Sequence, residues 1–277
     1  MEAMVESLSA LAHPQRLEIF RLLMRRYPDA VSAGEIAAIL DVPGSTLSVY
    51  LSSLRHAGLL SQTRQGRSLL YRADVNRAAK VIGYLRDDCC RGRPEMCASP
   101  DTLSEKESAV GDTPFSVLFI CTGNSARSII AETILRDHAG DRFTAYSAGT
   151  KPRSELNPFA VALLEGKGHD VSGSRAKTVA EFQGPDAPKL DFVFTVCDRA
   201  ANEECPPWPG QPISGHWGMV DPVTATGTEA EKKLAFQQTY AGLRNRIAVF
   251  TALPLDSLDR KSLQRAVDDI GDTEIAR

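Results

Sequence analysis

The chain has 277 residues, six cysteines and a formal net charge of −3, which predicts about two domains. It contains no apolar run as long as a membrane span and no basic segment before an apolar stretch at its start, so we expect neither membrane insertion nor a signal peptide. We therefore predict a cytoplasmic protein, whose cysteines serve catalysis or metal binding more often than disulfides.

The first third predicts a winged helix-turn-helix domain of the α+β class. His13-Pro14 divides two helices, because proline suits a helix start. Ser32 with Glu35 forms a predicted capping box for a short helix, and a further helix runs from about Ser45 to His56. Two extended segments, 60–63 and 68–72, flank a glycine and predict a hairpin wing.

This domain carries a surface suited to DNA. The second helix has a small hydroxylic face that fits a major groove, and an arginine stands on each side of the wing's tip. Residues 1–100 hold 13 Lys and Arg against 10 Asp and Glu, a mildly basic balance. The predicted contacts are Ser45, Thr46, Ser48, Tyr50, Arg64 and Arg67. The alternative is a plain helical domain with solvated serines and arginines.

The runs 11–20 (LAHPQRLEIF) and 45–54 (STLSVYLSSL) resemble the ArsR-type metalloregulators. The resemblance covers about residues 5–97. It implies a homodimer that leaves its operator DNA when a metal or metalloid binds. Many members carry a cysteine pair before the recognition helix, whereas here the segment 35–39 has none, so the inducer site must lie elsewhere or be lost.

Cys89, Cys90 and Cys97 are the candidate inducer site. Trivalent arsenic is soft and binds three thiolates. Two adjacent cysteines, and a third brought close by a loop that contains glycine and proline, can supply them. A similar cysteine-rich tail occurs in some ArsR-type arsenite sensors. Zinc is the competing metal, although the spacing is not C-x2-C and a fourth ligand is not obvious. Three incidental cysteines at a fraying helix end are the other alternative.

Residues 98–114 are polar and predict a linker, and residues 115–277 predict an α/β domain. Strands at 116–120, 143–147, 192–196 and 213–217 alternate with helices, which favours a four-stranded parallel sheet. Cys121, Cys197 and Asp221 each follow one of these strands. Since the carboxyl ends of parallel strands lie at one edge, we expect the three side chains to meet there.

The stretch from Cys121 to Ser128 predicts an anion-binding loop between a strand and a helix. Successive backbone N–H groups opening onto a helix N-terminus form an anion site, and the same field favours a thiolate at Cys121. Arg127 can offer two donors to a tetrahedral oxyanion. The loop consists of Thr122, Gly123, Asn124, Ser125, Ala126, Arg127 and Ser128.

This loop resembles the phosphate-binding loop of low-molecular-weight protein tyrosine phosphatases and of the arsenate reductases built on that fold, over about residues 115–252. The resemblance implies that Asp221, followed by Pro222, is a general acid with a raised pKa. Residues 216–222 resemble the reductase branch, and residues 223–227 lack the tyrosines that phosphatases carry. Cys197 and Cys205 are candidates to pass on a disulfide, but their interval is one residue longer than usual, and a structural role for Cys205 stays open.

We therefore hypothesise an arsenic-responsive repressor fused to an arsenate reductase. Cys121 attacks arsenate, and thiol–disulfide exchange releases arsenite, the inducer of the first domain. No tightly bound cofactor is expected; thioredoxin, glutathione with glutaredoxin, or mycothiol would supply the electrons. Glutathione or mycothiol could also take the place of Cys205, or of both Cys197 and Cys205. Two alternatives stay open: a tyrosine phosphatase with a DNA-binding domain, and an oxyanion-sensing regulator without turnover.

Overall fold

A computed structural model describes residues 1–89, 114–184, 186–203 and 208–273. The chain divides into two compact units, Met1–Ala109 and Val110–Arg277. The predicted linker 98–114 lies almost entirely outside the described residues, so the predicted domain bounds stay predictions. Within the described ranges, no single helix is long and apolar enough to cross a bilayer.

The first unit is a winged helix-turn-helix, as predicted. A three-stranded antiparallel sheet of order β1-β3-β2 packs with the helices. Its elements are α1 (Glu2–Leu11), α2 (Pro14–Arg25), β1 (Val31–Ser32), α3 (Ala33–Leu40), α4 (Gly44–His56), β2 (Leu60–Gln65), β3 (Ser68–Ala73) and α5 (Val75–Tyr84). A π-helical turn, Leu85–Cys89, continues α5. Buried leucines and isoleucines from α2, α3 and α4 form its core.

Two details of this unit differ from the sequence prediction. The Ser32 hydroxyl caps α3 by accepting from the Glu35 N–H at 3.1 Å, but the Glu35 carboxylate binds the Arg26 guanidinium at 2.7 Å rather than closing a capping box. Arg26 is buried, and a buried cation requires an anionic partner. The strand β1 was not predicted, because two residues are too few to show the alternation of apolar and polar side chains that marks a strand.

The second unit is an α/β domain with a four-stranded parallel sheet of order β5-β4-β6-β7, as predicted. Its strands are β4 (Phe115–Cys121), β5 (Phe143–Gly149), β6 (Phe192–Thr195) and β7 (Ile213–His216). Its helices are α6 (Arg127–Ala139), α7 (Pro158–Gly166), α8 (Asp198–Asn202), α9 (Glu229–Thr251) and α10 (Arg260–Asp272), with short 3-10 turns at Val179–Phe182 and Pro222–Thr224.

The central strand β4 is covered on both faces, since every residue from Val117 to Ile120 is at most 1% exposed. A continuous apolar strand of this kind is typical of a parallel sheet between two layers of helices. Ile120 pairs with Ala148 on one side and with Thr195 on the other. The carboxyl ends of three strands therefore lie side by side, and the segments that follow them converge at one edge.

Candidate active site

Cys121 is the last residue of β4 and is 3% exposed. Its sulfur lies 2.9 Å from the Ser128 Oγ and accepts the Asn124 backbone N–H at 3.2 Å. Burial raises the pKa of the Cys121 thiol above its ordinary value, and the neighbouring Cys197 acts in the same direction. Hydrogen bonds from Ser128 and the charge of Arg127 lower it. Burial therefore acts against the field of the loop, which the sequence predicts to favour a thiolate.

The carbonyl groups of Cys121 and of the loop that follows it accept hydrogen bonds from a neighbouring segment of the chain. The segment 150–157 donates four backbone N–H groups to it: Thr150 to Cys121, Lys151 to Thr122, Arg153 to Gly123 and Asn157 to Ser125, at 2.8–3.1 Å. The C=O of one residue and the N–H of the next point in opposite directions across a trans peptide. The N–H groups of residues 122, 123, 124 and 126 therefore turn inward and form an anion cradle in front of α6.

Two residues, Gly149 and Asn124, allow the backbone of the cradle to pack closely against the segment that follows β5. A Cβ on Gly149 would lie 2.7 Å from the Thr122 carbonyl oxygen, a distance that real Cβ atoms do not adopt, so only glycine fits there. Asn124 has φ of +41°, in the left-handed region where asparagine is better tolerated than most residues. The inward turn of the cradle therefore depends on both residues.

A buried polar network supports the nucleophile from behind. The Asn124 amide donates to the Ser128 Oγ at 2.9 Å and to the Ser147 Oγ at 2.8 Å, and its oxygen accepts the Lys177 N–H at 2.6 Å. Ser147 in turn donates to Glu132 at 2.5 Å, and the Lys177 ammonium binds both oxygens of Glu132 at 3.0 Å. The network sets the orientation of the Ser128 hydroxyl that contacts the Cys121 sulfur.

Arg127, at the start of α6, joins the cradle to Asp221. Its guanidinium lies 2.9 Å from the Asp221 carboxylate and donates to the Met219 carbonyl at 2.9 Å. Asp221 is partly exposed and also accepts the Val223 N–H at 3.2 Å, so it begins the 3-10 turn that follows. The cation that would face a bound oxyanion and the carboxyl group that could supply a proton are thus in direct contact.

The segment before Asp221 is anchored in the core. The Trp217 ring is fully buried and stacks on Phe194 at a centroid distance of 4.0 Å. Arg246, a buried residue of α9, donates to the Gly218 carbonyl and contacts the Met219 sulfur. These contacts hold the chain that presents the Asp221 carboxylate beside the cradle.

A second thiol lies beside the cradle. Cys197 directly precedes α8 and is 1% exposed. Its sulfur accepts the Ala200 N–H at 3.4 Å and lies 3.6 Å from the hydroxyl of Thr122, a residue of the cradle itself. The structure therefore places Cys121, Cys197 and Asp221 at one edge of the sheet, whereas Cys205 lies outside the described residues. A buried nucleophile, an anion cradle, a carboxyl group and a second thiol suit attack on a tetrahedral oxyanion followed by thiol exchange.

A sequence profile of the low molecular weight phosphotyrosine protein phosphatase family matches residues 116–264, more than half of the chain. The chain belongs to this family. Within the phosphatase-family domain, curated relatives named arsenate reductase are similar to it. The one from Bacillus licheniformis is 38% identical over 136 residues, which cover 49% of this chain and 94% of the relative. The one from Bacillus subtilis is 37% identical over 134 residues, covering 48% and 93%.

Solved structures are also similar to the phosphatase-family domain. One described as an arsenate reductase in the phosphate binding state is 27% identical, with a TM-score of 0.39, and covers 48% of this chain and 97% of that chain. An arsenate reductase from Archaeoglobus fulgidus is 24% identical, with a TM-score of 0.37, and covers 48% and 98%.

A second profile, of a helix-turn-helix domain, matches residues 11–63. The predicted fusion of an ArsR-type helix-turn-helix with a phosphatase-family domain is thus confirmed. In the structure, α3 and α4 are the two helices of the motif, and β2 and β3 form the wing.

The predicted DNA contacts lie on the surface of this motif. Ser45, Ser48, Arg64 and Arg67 are exposed, and Thr46 is half-buried. The half-buried Tyr50 ring lies 4.9 Å from the His13 ring, so packing between α4 and the start of α2 limits its reach. Arg64 donates to the Gly66 carbonyl at 3.2 Å, which turns its guanidinium toward the tip of the wing.

Of the three predicted arsenite ligands, Cys89 is exposed at the end of the π-helical turn. Cys90 and Cys97 lie outside the described residues, so the trio stays a prediction.

Sequence reasoning missed the residues that support the site. Ser147, Glu132, Lys177 and Arg246 lie 15 or more residues from the parts of the site they contact, as in the bond from Ser147 to Glu132 or from Arg246 to Gly218. No local motif marks such contacts. Gly149, two residues after the predicted strand 143–147, was the one readable signal, since a glycine at the end of a strand can mark a close backbone approach.

Proposed function

We propose that this protein is an arsenate reductase joined to an arsenic-responsive DNA-binding repressor. The observation that carries the reductase assignment is the position of Cys197. Its buried sulfur lies 3.6 Å from Thr122 in the cradle, beside the strand that ends in Cys121. A phosphatase needs one thiol, whereas reduction by two electrons needs two. The curated relatives named arsenate reductase support the same assignment.

In the first step, arsenate lies in the cradle with its oxygens on the inward N–H groups and on Arg127. The Cys121 sulfur forms a bond to arsenic, and the arsenic–oxygen bond opposite to it breaks. The Asp221 carboxylate, which is ion-paired with Arg127 in the structure, takes up the thiol proton of Cys121 and passes it to the departing hydroxide, which leaves as water. The product is a Cys121 thioester of arsenate with unchanged net charge.

In the second step, the Cys197 sulfur attacks the Cys121 sulfur. A disulfide forms, the sulfur–arsenic bond breaks, and its electron pair stays on arsenic. Arsenic is thereby reduced from the pentavalent to the trivalent state, and the Cys197 thiol proton leaves with arsenite. Two thiols have supplied the two electrons.

An external thiol must then reduce the disulfide. Thioredoxin, glutathione with glutaredoxin, or mycothiol with its partner protein each provide the required chemistry. We assign Cys205 the optional role of carrying the disulfide from Cys197 to such a partner. DNA, arsenate and these reductants are all found in the cytoplasm, where we place the protein.

For the regulatory half, we propose that arsenite binds Cys89, Cys90 and Cys97 and releases the protein from its operator. In this proposal, two copies of the chain associate through their winged-helix domains to form the repressor. Exposed apolar side chains on α1 and on α5 with its π-helical turn support it: Val5 is 57% exposed, Ile82 64% and Leu85 38%. Apolar side chains of this kind are typical of an interface.

The test compares arsenate turnover with the thioredoxin, glutathione–glutaredoxin and mycothiol systems in parallel. We expect one system to support turnover, Cys121→Ser to abolish it, and Cys197→Ser to stop it after a single thioester forms. Cys205→Ser separates a relay role from a structural one. Hydrolysis of p-nitrophenyl phosphate without arsenate turnover would indicate a phosphatase, and tight arsenate binding with no turnover would indicate a sensor.

A further inference from the structure

Arg153 lies against the outer wall of the cradle. Its backbone N–H donates to the Gly123 carbonyl at 3.0 Å. A Cβ placed on Gly123 would lie 3.5 Å from both the Cγ and the Nε of Arg153, so the side chain packs directly over this glycine. The residue is exposed. Within the described part of the chain, its guanidinium has no hydrogen-bond or ion-pair partner.

The other arginine of the site is already engaged. Arg127 binds the Asp221 carboxylate and the Met219 carbonyl, each at 2.9 Å. Its Nε has no partner and stays available to the anion inside the cradle. Arg153 is the exposed guanidinium beside the cradle, and in the described part of the chain its donors are all free. The Arg153 side chain thus lies at ordinary van der Waals distance from the Gly123 position.

An inorganic tetrahedral oxyanion differs from a phosphate monoester at one oxygen. The cradle and Arg127 can hold three oxygens, and the fourth points out of the cradle, away from Cys121. In a monoester this outward oxygen carries an organic group, and in arsenate or phosphate it remains a hydrogen-bonding atom. A guanidinium that reaches this oxygen binds the inorganic anion more strongly, because the organic group of a monoester shields the oxygen and weakens it as an acceptor.

We propose that Arg153 contacts the outward oxygen and makes the site selective for fully inorganic tetrahedral dianions over phosphate monoesters. This inference rests on the proposed function for the identity of the substrate. It adds a second guanidinium to a site that faces two negative charges, and it assigns selectivity to a residue beyond the cradle.

Lys151 is the matched control, because it lies on the same segment and carries the same charge. Its backbone also donates to the cradle, but its ammonium is 79% exposed and lies 3.8 Å from the Glu203 carboxylate. Lys151→Ala therefore removes a nearby positive charge without removing a donor over Gly123.

The experiment titrates inorganic phosphate and phenyl phosphate calorimetrically into the Cys121→Ser chain, alone and combined with Arg153→Ala or Lys151→Ala. For Arg153→Ala we expect the phosphate Kd to rise about tenfold, since it loses a charge-assisted hydrogen bond. Its phenyl phosphate Kd should change less than about twofold, and Lys151→Ala should change either Kd less than about threefold. In the Cys121 protein, Arg153→Ala should raise the KM for arsenate similarly with little change in kcat.

Equal losses for the two ligands, or equal effects of Arg153→Ala and Lys151→Ala, would overturn the inference. Failure of the proposed function has a separate signature, because wild-type protein would then show no arsenate turnover with any thiol system. The phosphate titrations decide the role of Arg153 in either case.

Discussion

Replacing Asn124 by alanine tests whether the buried network behind the cradle stabilises the phosphatase-family domain. The Asn124 side chain is fully buried and forms three hydrogen bonds, to Ser128, to Ser147 and from the Lys177 N–H. Alanine removes all three and leaves the Lys177 N–H without its acceptor. It must also adopt the φ of +41° found at this position.

The expected loss of unfolding free energy follows from these terms. Three hydrogen bonds at about 1 kcal/mol each give about 3 kcal/mol. The left-handed backbone costs alanine about 1 kcal/mol more. We therefore expect a loss of about 4 kcal/mol for Asn124→Ala and about 3 kcal/mol for Asn124→Gly, which tolerates the same backbone.

Urea unfolding followed by tryptophan fluorescence measures this loss in the full chain. The chain has two tryptophans, Trp208 and Trp217, and both belong to the second unit, so the signal reports on that unit. With a slope of about 2 kcal/mol per molar urea, the midpoint should fall by about 2 M for the alanine variant.

The matched control is Asn157→Ala, which removes one asparagine hydrogen bond, the cap to the Phe159 N–H at 2.9 Å. It should cost about 1 kcal/mol. If Asn124→Ala cost no more than Asn157→Ala, the network would not be a stabilising unit. If the glycine and alanine variants at position 124 were equal, the argument from backbone strain would be refuted.

Three further predictions concern the loop and the pH dependence. Gly149→Ala should lower kcat/KM by about 100-fold, since its Cβ would displace the Thr122 carbonyl and open the cradle; steady-state kinetics with unchanged activity would contradict this. Because burial raises the pKa of the Cys121 thiol, its alkylation by iodoacetamide should increase with pH up to and beyond pH 9, and a plateau below pH 8 in peptide mass spectrometry would show otherwise. Burial raises the pKa of Asp268 to about 6, so the stability that this group contributes when protonated is lost as the pH rises through 6. After discounting for its partial exposure, Asp268→Asn should stabilise the domain by about 1 kcal/mol at pH 7.5 and leave it unchanged at pH 4, as measured by the same urea assay.

The architecture could be predicted because local patterns determine it. The apolar run from Val117 to Ile120 predicts a strand buried on both faces, and the glycine at 66 predicts the turn of the wing. The placement of Cys121, Cys197 and Asp221 at one edge followed from a single rule about parallel strands. These inferences need only residues that are close in sequence and a known topology.

The remaining features depend on contacts between distant segments. The pKa of the Cys121 thiol depends on how deeply the loop is buried, which no motif specifies. The Glu35 carboxylate binds the buried Arg26 instead of capping the helix as predicted. The residues next to an arginine in the sequence do not show whether its side chain is buried. The same holds for Lys177, whose partner Glu132 is 45 residues away.

The four amide-to-carbonyl bonds between segment 150–157 and the cradle have a consequence for how the loop can change during evolution. Backbone groups make all four, so these four bonds fix the number of residues in the segment but not the identity of its side chains. Deletion of one residue from this segment would separate the N–H donors from their carbonyl acceptors and distort the cradle. Replacement of the Arg153 side chain would leave the four backbone bonds, and so the shape of the cradle, unchanged. The shape of the cradle and the side chain at position 153 can therefore change independently of each other.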